Sequence, residues 1–224
     1  MADRGILRRF SAYYEQLDAQ AKQRYLEKLD MLPEVIDDPY LTSGFVANNN
    51  HLWPQVEYPD IYHYLITTPS PYTREELKAY KSLDGYNFFV QGWVSNVQFL
   101  NVGTNPVVSV LLASVKHSQQ LSAPPLQPWV ASEQNGTILC AHCTCKAGLG
   151  EACSHISALL FAVEANTRFI KNTSCTSTSC VWLAPNTNKL NMLQYVRLTS
   201  QLLKREGRFQ ILFHQELLIL HLQT

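Results

Sequence analysis

Ala141-His142-Cys143-Thr144-Cys145-Lys146-Ala147-Gly148-Leu149-Gly150-Glu151-Ala152-Cys153-Ser154-His155 holds two short pairs of soft donors, Cys-x-Cys and Cys-x-His, separated by seven residues. Three thiolates and one neutral imidazole complete a zinc tetrahedron and leave no position open for water. The spacing therefore predicts one structural Zn²⁺ held by Cys143, Cys145, Cys153 and His155. The flanks explain how the pairs meet. Thr137 to Cys143 is β-prone, and an extended chain turns residues i and i+2 to the same side, which aligns Cys143 with Cys145. Ile156, Leu159, Leu160 and Val163 recur at helical spacing and predict a helix of about three turns beginning near Ser154, read as its N-cap. Cys153 then stands just ahead of the helix and His155 in its first turn, where the non-helical backbone before the cap lets both converge. Gly148 and Gly150 supply the reversal between the pairs.

Working outward, Asn135-Gly136 is a strong two-residue hairpin signal that joins the metal strand to Trp129–Gln134. Trp93–Phe99 and Val107–His117 are β-branched and aromatic and flank Gly103-Thr104-Asn105-Pro106, which predicts a second hairpin. The metal strand is thus expected as the last of a meander of about four strands. Thr73-Arg74-Glu75-Glu76 has the pattern of a capping box, and Leu77, Tyr80, Leu83 and Phe88 follow on one stripe, so a helix is predicted over 74–89. Leu7, Phe10, Tyr14, Leu17, Tyr25, Leu29 and Leu32 predict an N-terminal helix or helical hairpin that ends at Pro33. Its charges, Arg8, Arg9, Glu15, Asp18, Lys22, Arg24, Glu27 and Lys28, read as a solvated face. Residues 33–71, rich in Pro, Asn and aromatics, read as a loop with short elements.

With those residues in place, Cys143-Thr144-Cys145 and Cys153-Ser154-His155 resemble the CxCx(n)CxH signature of the SWIM-type zinc finger. The whole run from Ala141 to His155 looks like a subgroup found in animal proteins of transposon ancestry. Val115-Lys116-His117-Ser118-Gln119 upstream, and Ser174-Cys175-Thr176 with Cys180-Val181-Trp182 downstream, look like it too. The resemblance covers about residues 60–185 and fades after Pro185. It implies a finger that binds DNA or protein. Longer members of the subgroup continue into a phage-exonuclease-like (YqaJ-type) recombinase domain, which this chain is expected to be too short to contain. The expected class is α+β: an N-terminal helical segment, then a helix and an antiparallel β-meander leading into a ββα-like finger. The expected organisation is a helical and irregular region over 1–72, an α+β region over 73–185 with the finger at about 127–165, and a divergent Leu-rich tail over 186–224.

Other readings of the same residues carry less. The N-terminus, Met1-Ala2-Asp3-Arg4-Gly5, lacks the apolar core of a signal peptide, so disulfides are not expected. The protein is expected to be intracellular, in the nucleus in preference to the cytoplasm, and not secreted. Cys140-Ala141-His142-Cys143 has redox spacing but lacks the βαβ context, and Cys143 is already claimed by the denser cluster. Cys140, His142, Cys175 and Cys180 remain as possible additional ligands, with a packing role favoured for each.

An apolar fraction of 46% over 224 residues indicates a folded protein, and no apolar run reaches the ~20 residues that span a bilayer. The 18 basic residues cancel the 18 acidic ones, which removes the overall pull on phosphates that DNA-binding chains show. Residues 137–165 carry Lys146 against Glu151 and Glu164, and three thiolates around Zn²⁺ add a further net negative charge. Charge favours a protein partner and the resemblance favours DNA, so the sequence leaves the partner undecided between them. Asp60 with Glu76-Leu77-Lys78 imitates a nuclease metal site, but a Glu76 in a helical capping box would not share a face with Lys78. No phosphate loop, nucleophile elbow or small-molecule site is evident. The expectation is a non-enzymatic protein in which zinc contributes an apparent ~10 to 16 kcal/mol to folding.

Overall fold

The computed structural model describes residues 8–47, 49–117 and 123–172. Its frame is an antiparallel sheet of β1 (Val46–Ala47), β2 (Val94–Val102), β3 (Val108–Val115), β4 (Pro128–Glu133) and β5 (Ile138–Cys143), lying in that order across the sheet. β2 to β5 form the expected meander. β1 is a short edge strand from the segment read as a loop, and pairs Val46 with Phe99. At the Asn135-Gly136 turn, the Asn135 side chain accepts the Thr137 N–H at 2.9 Å, and Gly136 takes the left-handed backbone (φ +102°) that turns of this kind favour.

Register sorts the sheet residues between two cores. Pairing of Pro128 with Cys143, Trp129 with His142 and Val130 with Ala141 means that alternate residues of β5 face opposite sides. Phe99, Leu111, Val130, Ala141 and Cys143 join one core; Val108, Val110, Trp129, Ala131 and Cys140 join the other.

The second core lies under the N-terminal helices α1 (Ala12–Glu15) and α2 (Ala19–Asp30). Two caps split the expected helical stretch in two: Ser11 accepts the Tyr14 N–H at 3.3 Å, and Asp18 the Ala21 N–H at 2.8 Å. Asp38 is buried and ties this layer together, accepting the Ser11 and Tyr25 hydroxyls at 2.6 and 2.8 Å. The solvated face read for this segment holds for Arg9, Glu15, Asp18 and Glu27 and fails for Lys28, which is 1% exposed, and for half-buried Arg8, Lys22 and Arg24. Ala21, Tyr25, Lys28 and Leu29 form the buried stripe of α2 at helical spacing. Lys28 thus occupies a core-facing position.

The first core is closed by α3 (Tyr58–Tyr62), a π-helical turn over His63–Thr67, a 3₁₀ turn over Tyr80–Asp84, α4 (Gly85–Val90) and α5 (Ser154–Asn172). The helix expected over 74–89 is corrected to those last two short pieces before α5. Leu77, Lys78 and Ala79 donate their N–H groups to Thr68, Ile66 and Leu65, and Arg74 and Lys78 adopt left-handed backbones. Residues 75–79 therefore fold back on 65–70, and their donors are already taken. The Thr73 hydroxyl accepts the Glu75 N–H, a local turn in place of a capping box. Glu76 and Lys78 pair with each other at 3.7 Å on the surface.

α5 runs for 19 residues, longer than the three turns expected. Beyond its apolar stripe, the Asn166 amide donates to the Asn50 carbonyl at 2.7 Å and Thr167 is buried, so polar anchoring extends it. α4 packs closely on its first turns: a Cβ on Gly85 would lie 2.4 Å from the Ser154 carbonyl oxygen. Among the described residues no helix is long and apolar enough to cross a membrane.

Candidate metal centre

The ligand atoms of Cys143, Cys145, Cys153 and His155 lie within 4.8 Å of one another. A zinc tetrahedron with Zn–S bonds of about 2.3 Å sets neighbouring sulfurs about 3.8 Å apart, so the cluster is close enough to hold a metal ion. Cys143 ends β5, and Cys145 follows it in extended geometry before a 3₁₀ turn over Lys146–Gly150. That turn packs against the strand end: a Cβ on Gly148 would lie 2.0 Å from the Cys143 carbonyl oxygen, whereas one on Gly150 would meet nothing within 4 Å. The left-handed residue of the reversal is Glu151 (φ +62°), and not either glycine.

Cys153, not Ser154, caps α5. Its carbonyl accepts the Ser157 N–H at 3.0 Å and its sulfur accepts the Ile156 N–H, so Ser154 is already the first helical residue. The positive end of the helix thus faces the thiolates.

The thiols are free and share one proton network. Hydrogen bonds from Cys143 and Cys153 hold the Cys145 thiol well below its usual range. Cys143 is held well above the usual thiol range, first through its hydrogen bond to Cys145, then that to Cys153, and by burial. Cys153 is pushed up to about 12; its hydrogen bond with Cys143 pulls it down, but that with Cys145, together with burial, outweighs it. Both ring nitrogens of His155 are buried without a well-aligned hydrogen bond, and the polar group beside the ring is the Cys145 sulfur, whose thiol the imidazole helps to hold below its usual range. The donor set of three thiols and a buried imidazole fits a divalent ion of zinc's type. Phe88 packs against the His155 ring at 5.8 Å and His117 edge-on at 6.3 Å.

Of the possible additional ligands, Cys140 and His142 are turned to the opposite core by strand alternation. Cys140 is buried, its thiol pushed up to about 12 by desolvation, and it approaches the Lys28 carbonyl at 3.8 Å. His142 lies between Tyr13 (Oη–Nε2 2.9 Å) and Lys28 (Nζ–Nδ1 2.9 Å), and burial, then the Lys28 charge, holds it well below its usual range. Cys175 and Cys180 lie outside the described residues.

Reading the sequence missed a second ring of contacts. Arg24 grips the Glu151 carboxylate with two hydrogen bonds of 2.6 and 3.0 Å, and Lys28 approaches it at 3.4 Å. The Tyr64 hydroxyl donates to the Glu151 carbonyl at 3.1 Å and Ser82 to the Ala152 carbonyl. The signal for Lys28 was its place among Ala21, Tyr25 and Leu29; nothing local pointed to partners more than a hundred residues away.

No family model, curated protein or solved structure matches this chain.

Proposed function

We propose that the chain is a non-catalytic interaction module of the SWIM-finger type, built around one structural zinc that joins the end of the sheet to α5. The observation that carries this reading is the closed cluster of three thiols and the buried His155 ring, their four ligand atoms within 4.8 Å of one another. Three thiolates and an imidazole fill the tetrahedron, so the ion would act as a crosslink and not as a Lewis acid toward a substrate. Cys143, Cys145, Cys153 and His155 would hold it.

The partner we favour is a protein. Balanced charge over the chain, and an excess of acid around the finger, oppose attraction to phosphates. The test is binding to a labelled random-sequence DNA duplex between 50 and 200 mM salt. A protein-binding module shows no salt-dependent association. Binding that weakens steeply across this range would replace the protein reading with that of an accessory DNA-binding part of a transposon-derived recombinase.

A further inference from the structure

We infer that Tyr13, Arg24 and Lys28, from the two N-terminal helices, are positioning residues of the metal centre and set its affinity for zinc through Glu151, His142 and the Cys143 carbonyl. The inference rests on the structural-zinc reading and adds to it a set of outer contacts drawn from the far end of the chain.

Two arms leave α2. The first reaches the helix side of the site. Glu151 lies two residues before Cys153 in a left-handed backbone that glycine would adopt with less strain, and its residue is 4% exposed. What holds it there is its carboxylate, gripped side-on by the Arg24 guanidinium and approached by the Lys28 ammonium. With the Tyr64 contact on its carbonyl, both the side chain and the backbone leading into Cys153 are fixed.

The second arm reaches the strand side. Burial pulls Lys28 below its usual range and the Glu151 carboxylate opposes that; as an ammonium it has donors only, and His142 Nδ1 then accepts from it with the ring proton on Nε2. His142 Nε2–H then donates to Tyr13 Oη at 2.9 Å, which frees the Tyr13 hydroxyl proton for the Cys143 carbonyl at 3.4 Å. Lys28 also donates to the Ala141 carbonyl at 3.3 Å. One lysine therefore braces both halves of the ligand loop. The charges agree with the geometry. Three thiolates around a divalent ion would carry one net negative charge and Glu151 a second, which Arg24 and Lys28 face. Contacts of this kind orient metal ligands, and their loss weakens binding by about 10 to 100-fold.

The test is cobalt titration of the metal-stripped full chain, with zinc competition and the rate of metal release to a chromophoric chelator. Glu151→Gln and Lys28→Met are each expected to weaken metal binding about 10 to 100-fold and to speed release, while the thiolate–cobalt absorption keeps its tetrahedral shape. Asp37→Asn, which removes the exposed Arg9–Asp37 pair of the same helical layer, is expected to stay within about twofold of wild type. Should Lys28→Met fail to fold, Arg24→Lys keeps the charge, loses the two-pronged grip, and is expected to shift affinity in the same direction by less. Wild-type affinity and release rates in the variants, even with lowered melting temperatures of the metal-free chains, would overturn the inference and leave these residues merely structural. A wild-type chain that takes up no cobalt would instead overturn the metal reading beneath it.

Discussion

Cys145 is the thiol that ionises first, because it is the half-exposed member of the cluster and accepts from its two neighbours. Cys143 and Cys153 are held above the usual thiol range and carry their protons at neutral pH in the metal-free chain. A metal must displace those protons. The sign follows: protons compete with the ion, so affinity rises with pH and falls away as the solution is acidified. Calorimetry in buffers of different ionisation enthalpy at pH 7 is expected to show about two protons released per zinc, with apparent affinity changing about 100-fold per pH unit. Release of three protons, or none, would contradict this assignment of thiol states. At this scale spacing alone singled out the four donors that cluster, Cys143, Cys145, Cys153 and His155, while it left Cys140 and His142 open as further ligands. A period of two in β5 puts Ala141 and Cys143 on one face and their neighbours on the other. Cys145 stays with Cys143 because the chain remains extended one step past the strand.

Among the elements, the metal loop depends on how closely the 3₁₀ turn over Lys146–Gly150 approaches the end of β5. Gly148→Ala would drive a methyl group into the Cys143 carbonyl and is expected to destabilise the chain by about 1 to 3 kcal/mol and to weaken metal binding. Gly150→Ala enters open space without a left-handed backbone. It is expected to be neutral or stabilising by up to about 1 kcal/mol. Denaturant midpoints of the two variants check the contrast, and equal effects would show that the close approach is unimportant. The meander was readable because its turn residues and β-branched runs agree with the tertiary pairing. The helix expected over 74–89 was not, because local capping chemistry at Thr73 lost to backbone pairing of residues 77–79 with 65–68, which no local pattern encodes. α5 outran its apolar stripe for a related reason: Asn166 and Thr167 are anchored by the remote segment 50–54.

Over the whole molecule, the sheet is shared. Its one face carries α3, α4 and α5, its other face α1 and α2, and the strand that ends in Cys143 contributes to both cores. Residues before and after position 72 therefore meet in the same interiors: Tyr25 packs edge-on against Trp129 at 5.9 Å, and Trp53 and Leu65 lie in one core with Leu159 and Leu160. A metal held by a loop placed at this junction would connect the stability of both layers to one ion. Structural zinc contributes an apparent ~10 to 16 kcal/mol in small fingers, which is comparable to the whole net stability of a domain. The measurement that tests this most directly is metal content per chain, by mass spectrometry of protein purified without added zinc, for wild type and Cys153→Ser, with circular dichroism before and after chelation. The account predicts one zinc per wild-type chain, lost in the variant and on chelation together with the folded signal. A metal-free chain that stays folded would contradict it and leave the cysteines as ordinary core residues.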